Sequence, residues 1–391
     1  MTQFVLIWWI TDTTGSVSSL AAAGTAALLP QAILGPLGGV LADRWNRRLL
    51  LMVSDGVSAA CMAVLIGLFL TGQIEVWHAF VMMAVRSAMQ AFQTPAAAAS
   101  TPMLVPAHFL PRAAGLNQTL QGIMTVAAAP MGALAIALMP IGWALSIDVI
   151  TAVLAIGALV FIRIPQPARS ERRTGVVQEM KEGFALVWTN RGLRNLYLLL
   201  AAAVLVVMPS FTLVALLVKN HFGGGANEVA LMEALTGVAM IVAGVAVAAI
   251  APRRPILWVI WGFAASCFAL AGTGLPTREW FWLAVAAWTV SGFAFVCASA
   301  PLTALLQSIV PNDLQGRVFA LLATVMALAA PIGMAVAAPL GELIGIRWLF
   351  VLLGLLGGCV SLAGLLSASI RGLGGPDGGV KITAEEGRSE R

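Results

Sequence analysis

The chain has 391 residues, of which 60% are hydrophobic and only 10% carry a charged side chain. A soluble protein of this length could not cover so much apolar surface, so the composition excludes the soluble globular class and indicates a membrane protein. The net charge of +5 does not point to nucleic acid, because the basic residues flank apolar runs; we expect a lipid bilayer and no nucleic acid as partner.

Eleven apolar runs of about 20 residues or more predict membrane-spanning helices. In chain order they are 17–41, 49–70, 77–98, 114–139, 141–163, 195–218, 229–251, 255–274, 280–301, 316–340 and 345–368. A shorter run from Met1 to about Ile10 precedes them and, at ~1.5 Å per residue, would cross only half of a bilayer core. We therefore expect an incomplete first span, through either a misassigned start or a real truncation.

The basic residues between these runs predict the orientation. Eighteen Lys and Arg residues fall on one side of the predicted membrane and three, Lys219, Arg278 and Arg347, on the other. Because cytoplasmic loops carry the excess of Lys and Arg, the first side is predicted to be cytoplasmic, together with the C-terminus. The expected location is a bacterial plasma or inner membrane.

Short motifs recur in the same order in both parts of the chain. The recurring pairs are Val105-Pro106 before Arg112 with Val310-Pro311 before Arg317, residues 128–132 (AAPMG) with residues 329–333 (AAPIG), and Pro95 with Pro301. Their offsets run from 201 (Ala128 to Ala329) to 206 (Pro95 to Pro301). Repeats of this kind predict two duplicated halves, a common plan among secondary transporters.

The repeats and the polar segments divide the chain into four predicted parts. Residues 1–163 form the first membrane half and residues 195–370 the second. Between them, residues 164–194 form a cytoplasmic linker in which an amphipathic pattern from Val177 to Trp188 predicts a helix on the membrane surface. Residues 371–391 are Gly-rich and charged and are expected to be disordered.

A charged hinge separates two of the apolar runs, and it carries one acid and three arginines in the order Gly39, Asp43, Arg44, Arg47 and Arg48. This segment is similar to the pattern G-x-x-x-D-R-x-G-R-R of major facilitator transporters, with Asn46 at the second Gly. Asn tolerates a left-handed turn better than most residues, so we expect the turn to survive.

Further segments make the chain resemble the macrolide-efflux proteins of the major facilitator superfamily, and more loosely the siderophore exporters. They are residues 14–16 (TGS), 29–36 (LPQAILGP), 85–87 (VRS), 94–96 (TPA), 179–183 (EMKEG) and 316–319 (GRVF). The resemblance implies an all-helical major facilitator fold with two pseudo-symmetric halves. It also implies a proton-coupled exporter of a small molecule, and we expect a monomer.

Three ionisable residues inside predicted spans are the candidates for proton coupling: Arg86, Asp148 and Glu233. Each would cost about 2.5–3.5 kcal/mol on insertion scales, so each requires a reason. A carboxyl group in an apolar surrounding favours its neutral form and can take up and release a proton. The alternatives are that Arg86 belongs to a buried pair that fixes helix packing and that Asp148, about one turn into its span, faces water.

Polar, aromatic and Met side chains on the spans are candidates for the wall of a substrate cavity. They are Gln90, Gln93, Gln118, Gln121, Met208 and Phe211. The alternative for the glutamines is hydrogen bonding between helices. A fourth acid, Asp12, is flanked by threonines and by Gly15, which favours a solvated helix end.

The residues of the charged hinge predict a conformational gate, formed by Gly39, Asp43, Arg44, Arg47 and Arg48. In transporters that it resembles, this loop latches the two halves together. Asp43 can meet a helix N-terminus, and the internal repeat suggests the start of the span near Arg317 as its partner. The alternative is that these charges only enforce topology.

The sequence contains no motif that indicates an enzyme. There is no phosphate-binding Walker loop, no His/Cys/carboxylate cluster for a metal and no nucleophile elbow, and the four cysteines lie in apolar runs. We expect no enzyme activity, no cofactor and no metal. The favoured function is proton-coupled efflux of an amphipathic small molecule such as a macrolide-like drug. A siderophore, lipid or metabolite transporter, or a degenerate copy without transport, is the alternative.

Overall fold

The computed structural model describes residues 1–104, 106, 110–161, 184–185, 187–250, 252, 254–310 and 312–373. Most of the predicted linker helix and nearly all of the predicted disordered tail lie outside these ranges. For some residues of these helices the structure describes the backbone but not the side chain. They include Gly39, Asp43, Arg44, Gln118, Gln121 and Arg317, so these predicted positions are placed by their backbone alone.

Twelve helices of 13 residues or more follow one another along the described chain, in two sets of six. The first set is α1 (Thr2–Thr14), α2 (Val17–Arg44), α3 (Arg47–Leu70), α4 (Val76–Leu104), α5 (Leu110–Leu138) and α6 (Ile141–Phe161). The second set is α7 (Arg191–Leu217), α8 (Ala226–Ile250), α9 (Pro255–Gly274), α10 (Phe281–Ile309), α11 (Asn312–Ile344) and α12 (Ile346–Ala363). A π-helical turn, Val218–Phe222, extends α7, and a short helix, Ala368–Arg371, follows α12. No β-strand occurs in the described ranges.

All eleven predicted spans coincide with helices, and α4 and α10 run several residues past the predicted ends of their spans at 98 and 301. Nine of the described helices are long and apolar enough to cross a membrane. Helix α4 is not among these nine, because Arg86, Gln90 and Gln93 lower its mean hydropathy, and the described part of α5 counts only as the shorter apolar helix Val126–Leu138.

Local signals fix several of the helix ends. Ser16, Asn46 and Asn190 are the N-caps of α2, α3 and α7, and each accepts a hydrogen bond from the backbone N–H three residues on. Asn46 has φ of −64°, so it caps a helix in extended conformation and does not form the left-handed turn that the sequence suggested. The cap explains why Asn can replace Gly there.

Four glycines with positive φ lie at one end of the helix bundle: Gly15, Gly72, Gly223 and Gly345. They follow α1, α3, the π-turn after α7, and α11, and the connections they form are short. We call this end of the molecule the tight-turn face. It is the side on which the positive-inside rule places the three outer basic residues.

The packing of the second set of helices repeats that of the first. Helix α2 packs against α4 as α8 packs against α10, and α3 packs against α4 and α6 as α9 packs against α10 and α12. Helices α1 and α7 pack in the same way against α5 and α11. Pro130 in α5 and Pro331 in α11 occupy matching helices, which confirms the duplication read from the sequence.

The two halves meet mainly along α2 with α11 and α5 with α8, a symmetric arrangement. A small residue permits the close approach of α5 and α8, because a Cβ atom at Gly237 would lie 2.8 Å from Cγ2 of Val126. Large apolar side chains such as Leu138, Phe161 and Leu343 are more than 70% exposed on the outside of the bundle, as a lipid-facing surface requires. A cavity lies between the two halves.

Candidate functional site

Two of the predicted charged residues form an ion pair in the first half. Arg86 on α4 and Asp148 on α6 are joined by a contact of 2.7 Å between Nη1 and Oδ2, across helices that both pack against α3. Asp148 lies about two turns into α6, one turn deeper than the sequence suggested. The pair matches the packing alternative for Arg86, and it also faces open space, because its side chains are 42% and 28% exposed.

A cavity of about 170 Å³ lies beside this pair. Its wall includes Arg86, Ser87 and Gln90 from α4 together with Ala27 from α2 and Gln3 from α1. Gln90 therefore lines a cavity, and its role in binding substrate stays a prediction. The Ser87 hydroxyl accepts a hydrogen bond of 3.1 Å from the backbone N–H of Gln31, which ties α4 to α2 at the cavity wall.

An acid that the sequence reasoning missed lies on α3. The Gln93 side-chain amide donates a hydrogen bond of 2.5 Å to the Asp55 carboxylate, so Gln93 takes the alternative role of linking helices. Asp148 lies within electrostatic range of Asp55. The signal was available, because Asp55 falls inside the predicted span 49–70 and the cost of burying a charge applies to it as to Glu233.

A larger cavity, about 240 Å³, lies between the two halves. Four helices line it: α1 with Phe4 and Trp8, α5 with Ala128 and Ala129, α7 with Phe211 and Thr212, and α8 with Val229 and Glu233. Gln3 lines this cavity and the smaller one, which places them side by side. The structure thus brings the predicted residues Glu233 and Phe211 into one cavity wall. Met208, one turn before Phe211 on α7, is half-buried and is not part of this wall.

Glu233 is the chemically distinctive group of this wall. Its side chain is half-buried, and it has no ion pair or hydrogen bond to any other residue in the described ranges. Its neighbours in the wall are mostly apolar or aromatic. A carboxyl group placed in this way can bind a proton or a cationic ligand, because no described residue forms an ion pair with it.

Arg48, one of the predicted gate residues, contacts its own half of the molecule. Its guanidinium donates to the carbonyl oxygen of Leu159 at 2.6 Å and to that of Val160, which caps the C-terminal end of α6. Arg47 is 7% exposed. The sequence predicts a latch between the halves, formed by Asp43 and the start of the span near Arg317. The structure does not describe these two side chains, so the latch stays a prediction.

The two halves are joined at the tight-turn face by residues that the sequence reasoning did not pair. Lys219 in the π-turn donates to Oδ1 of Asp12 at 2.8 Å and to the carbonyl oxygens of Asp12 and Thr11 at the end of α1. Asn220 adds a hydrogen bond of 3.2 Å to the Gly15 carbonyl. Asp12 is 64% exposed, as expected for a helix end, but it is paired. We call these four residues with Thr11 the tight-turn latch.

Comparison with known proteins identifies a family and two efflux proteins that are similar to this chain. The model of the Major Facilitator Superfamily matches residues 1–334. The chain belongs to this superfamily. Macrolide efflux protein A of Streptococcus pyogenes is 30% identical over 374 residues, covering 95% of this chain and 92% of that protein. The multidrug efflux pump Tap of Mycobacterium tuberculosis is 24% identical over 382 residues, covering 94% and 89% of the two chains.

Solved structures of major facilitator transporters show the same fold at low identity. The nucleoside transporter NupG, as a D323A mutant, aligns with a TM-score of 0.69 and 13% identity over 93% of this chain and 96% of that one. A D-xylose-proton symporter aligns with a TM-score of 0.62 and 17% identity over 92% and 94%. The chain is thus a multi-pass membrane protein with the major facilitator fold, and it is a transporter.

Proposed function

We propose that this facilitator exports an amphipathic small molecule, such as a macrolide-like drug, in exchange for protons, by alternating access of the cavity between its halves. The observation that carries the proposal is the Glu233 carboxyl in the wall of that cavity, without a partner among the described residues and beside Phe4, Trp8 and Phe211. The names of the efflux relatives support the same cargo class. The proposal places the protein in a bacterial inner membrane, as a monomer, with its C-terminus cytoplasmic.

The apolar and aromatic wall suits a cargo that has a large apolar surface. Aromatic side chains and a few polar groups bind such ligands by area and shape, and the cargo identity then depends on the few polar contacts. A carboxylate in this wall attracts a cation and repels an anion. A weakly basic drug and a proton would therefore compete for Glu233, and such competition couples the two fluxes.

Alternating access gives this competition a direction. When the cavity opens toward the side of higher proton concentration, Glu233 is protonated and a cationic cargo leaves. When it opens toward the other side, the proton is released and the carboxylate binds new cargo. Arg86 and Asp148 provide a second ionisable group in the first half, which we propose responds to the same proton.

Glu233→Gln tests the role of the carboxyl group, because glutamine keeps the shape and removes the proton site. We expect the variant to bind a neutral macrolide as the parent does and to lose proton-driven efflux. The measurement is drug accumulation in cells that express each form, with and without a protonophore. Glu228→Gln serves as the control, because Glu228 lies on the same helix, where its carboxylate accepts from the backbone N–H of Gly225 at the tight-turn face.

Three results would reject this proposal or a part of it. If the parent protein lowers drug accumulation and the protonophore has no effect, export is not proton-driven. If Glu233→Gln exports at the parent rate with the parent dependence on pH, coupling does not pass through Glu233. If the parent changes accumulation of no drug, the efflux proposal itself fails.

A further inference from the structure

Three buried polar groups face one small cavity in the second half. They are the hydroxyl groups of Ser210 on α7 and Thr236 on α8 and the indole N–H of Trp288 on α10. Their residues are 0%, 3% and 2% exposed, and none of the three polar atoms has a hydrogen-bond partner among the described residues. The cavity they line has a volume of about 10 Å³.

The positions of these groups are fixed by the packing around them. Gly292 lets α10 approach α8 at Thr236, because a Cβ atom at 292 would lie 2.3 Å from Thr236 Cγ2. Ser291, which also lines the cavity, is held by a hydrogen bond of 2.9 Å to the Ser266 carbonyl oxygen. The cavity is therefore a built feature of four helices, since Leu270 on α9 also lines it.

Buried polar groups in folded proteins almost always have hydrogen-bond partners, and those without one lose the solvation they had in water. Two hydroxyls can donate or accept, whereas an indole N–H can only donate. A volume of about 10 Å³ is close to the space that one water-sized oxygen occupies. A hydroxyl oxygen fits both requirements, because it can accept from Trp288 while it donates to Ser210 or Thr236.

We propose that Ser210, Thr236 and Trp288 form a subsite for one hydroxyl oxygen beside the cargo cavity. The oxygen belongs to a water molecule or to a hydroxyl group of the cargo, and the chemistry of recognition is the same. Phe211 connects this subsite to the cargo, since its side chain lines both this cavity and the one of about 240 Å³ and contacts Trp288 edge-on at a centroid distance of 5.6 Å. The cargo arm of the proposal rests on the proposed function, whereas the subsite itself does not.

Thr236→Val tests the subsite without reference to transport, because valine keeps the shape and removes the hydroxyl. If the hydroxyl binds a ligand oxygen, the thermal unfolding midpoint of the purified protein falls by on the order of 2 °C. If the hydroxyl is buried without any partner, its removal raises the midpoint. Thr273→Val is the matched control, because Thr273 is also fully buried and its hydroxyl donates to the Ala269 carbonyl oxygen at 3.2 Å. A midpoint of Thr236→Val at or above the parent value, both without drug and with a hydroxyl-bearing macrolide present, overturns the proposal.

To identify the source of the oxygen, export rates of the parent protein and of Thr236→Val are compared for two compounds. One is a hydroxyl-bearing macrolide, and the other is its analogue that lacks one hydroxyl. If the cargo supplies the oxygen, Thr236→Val slows export of the parent drug by on the order of tenfold, and export of the matching analogue is unaffected. If water supplies it, the variant exports both compounds at the parent rate while its unfolding midpoint still falls. If the parent protein exports neither compound, the proposed function fails, and the thermal measurement still decides the subsite.

Discussion

Arg86 and Asp148 neutralise each other inside the first half, and this pairing makes their effects on stability dependent on one another. Arg86→Ala leaves the Asp148 carboxylate without its cation. We expect a loss of about 1–2 kcal/mol in the free energy of unfolding, less than for a fully buried pair because the side chains are 42% and 28% exposed. The measurement is thermal or denaturant unfolding in detergent.

The double variant Arg86→Ala/Asp148→Asn is the control for this prediction. Removing both charges leaves no unpaired ion, so the double variant should be more stable than Arg86→Ala alone. Arg86→Lys should keep part of the stability and of the transport if a point charge is enough. Equal losses in the single and double variants would show that the pair contributes nothing as a pair.

At the residue scale, sequence reasoning finds charges but not their partners. The cost of burying a charge identified Arg86, Asp148 and Glu233 without any structure. Arg86 and Asp148 are 62 residues apart, and Lys219 and Asp12 are 207 residues apart, so only the packing of the helices brings them together. The same rule applies to Asp55, which lies inside the predicted span 49–70.

Helices are the part of this protein that the sequence predicts best. An apolar run long enough to cross a bilayer is expected to form a helix, because lipid offers no hydrogen bonds to the backbone and a helix satisfies them within the segment. The ends are harder to place, since α4 and α10 continue beyond their apolar runs. Order along the chain also does not reveal which helices touch, and the pairing of α2 with α11 and α5 with α8 comes only from the fold.

The contact of Arg48 with the end of α6 predicts an effect on that helix. Arg48→Ala removes a cation that bonds two unsatisfied carbonyl groups, and we expect a loss of about 1 kcal/mol in the free energy of unfolding. Arg48→Lys should recover only part of it, because an ammonium lacks the planar fork. Arg371→Ala, which removes an exposed arginine, is the control for lost charge. An Arg48→Ala variant as stable as this control would assign Arg48 to topology or gating alone.

At the scale of the whole molecule, two latches at opposite ends would set the balance between the open states. The tight-turn latch is present in the structure, and the Asp43 latch is the one predicted from the sequence. We expect each latch to stabilise the state that closes its own face. An alternating-access transporter needs both to be weak, since a latch of many kcal/mol would hold it in one state.

Removal of each latch should therefore shift the molecule in opposite directions. Lys219→Gln loses a partly exposed ion pair and the contacts with the end of α1, about 1 kcal/mol, which favours opening of the tight-turn face by up to about fivefold. Asp43→Asn loses a helix-end interaction of similar size and favours closure of that face by about fivefold. Lys219 is not among the described residues that line the cargo cavity of about 240 Å³, and the sequence predicts Asp43 at the membrane surface, so we expect both changes to act on transport through the conformational balance.

One pair of spin labels reads both shifts. Ser18 and Asn227 are exposed at the tight-turn face, one in each half, and the four native cysteines would first be replaced by alanine. We expect a larger fraction of long distances in Lys219→Gln, a smaller fraction in Asp43→Asn, and a distribution near the parent in the double variant, because equal and opposite free energies cancel.

Charge exchange in Asp12→Lys/Lys219→Asp should restore part of the closure that Lys219→Gln loses. If Asp43→Asn leaves the distances and the transport rate unchanged, Asp43 marks topology only. If Lys219→Gln does so, the contact at the tight-turn face does not control opening.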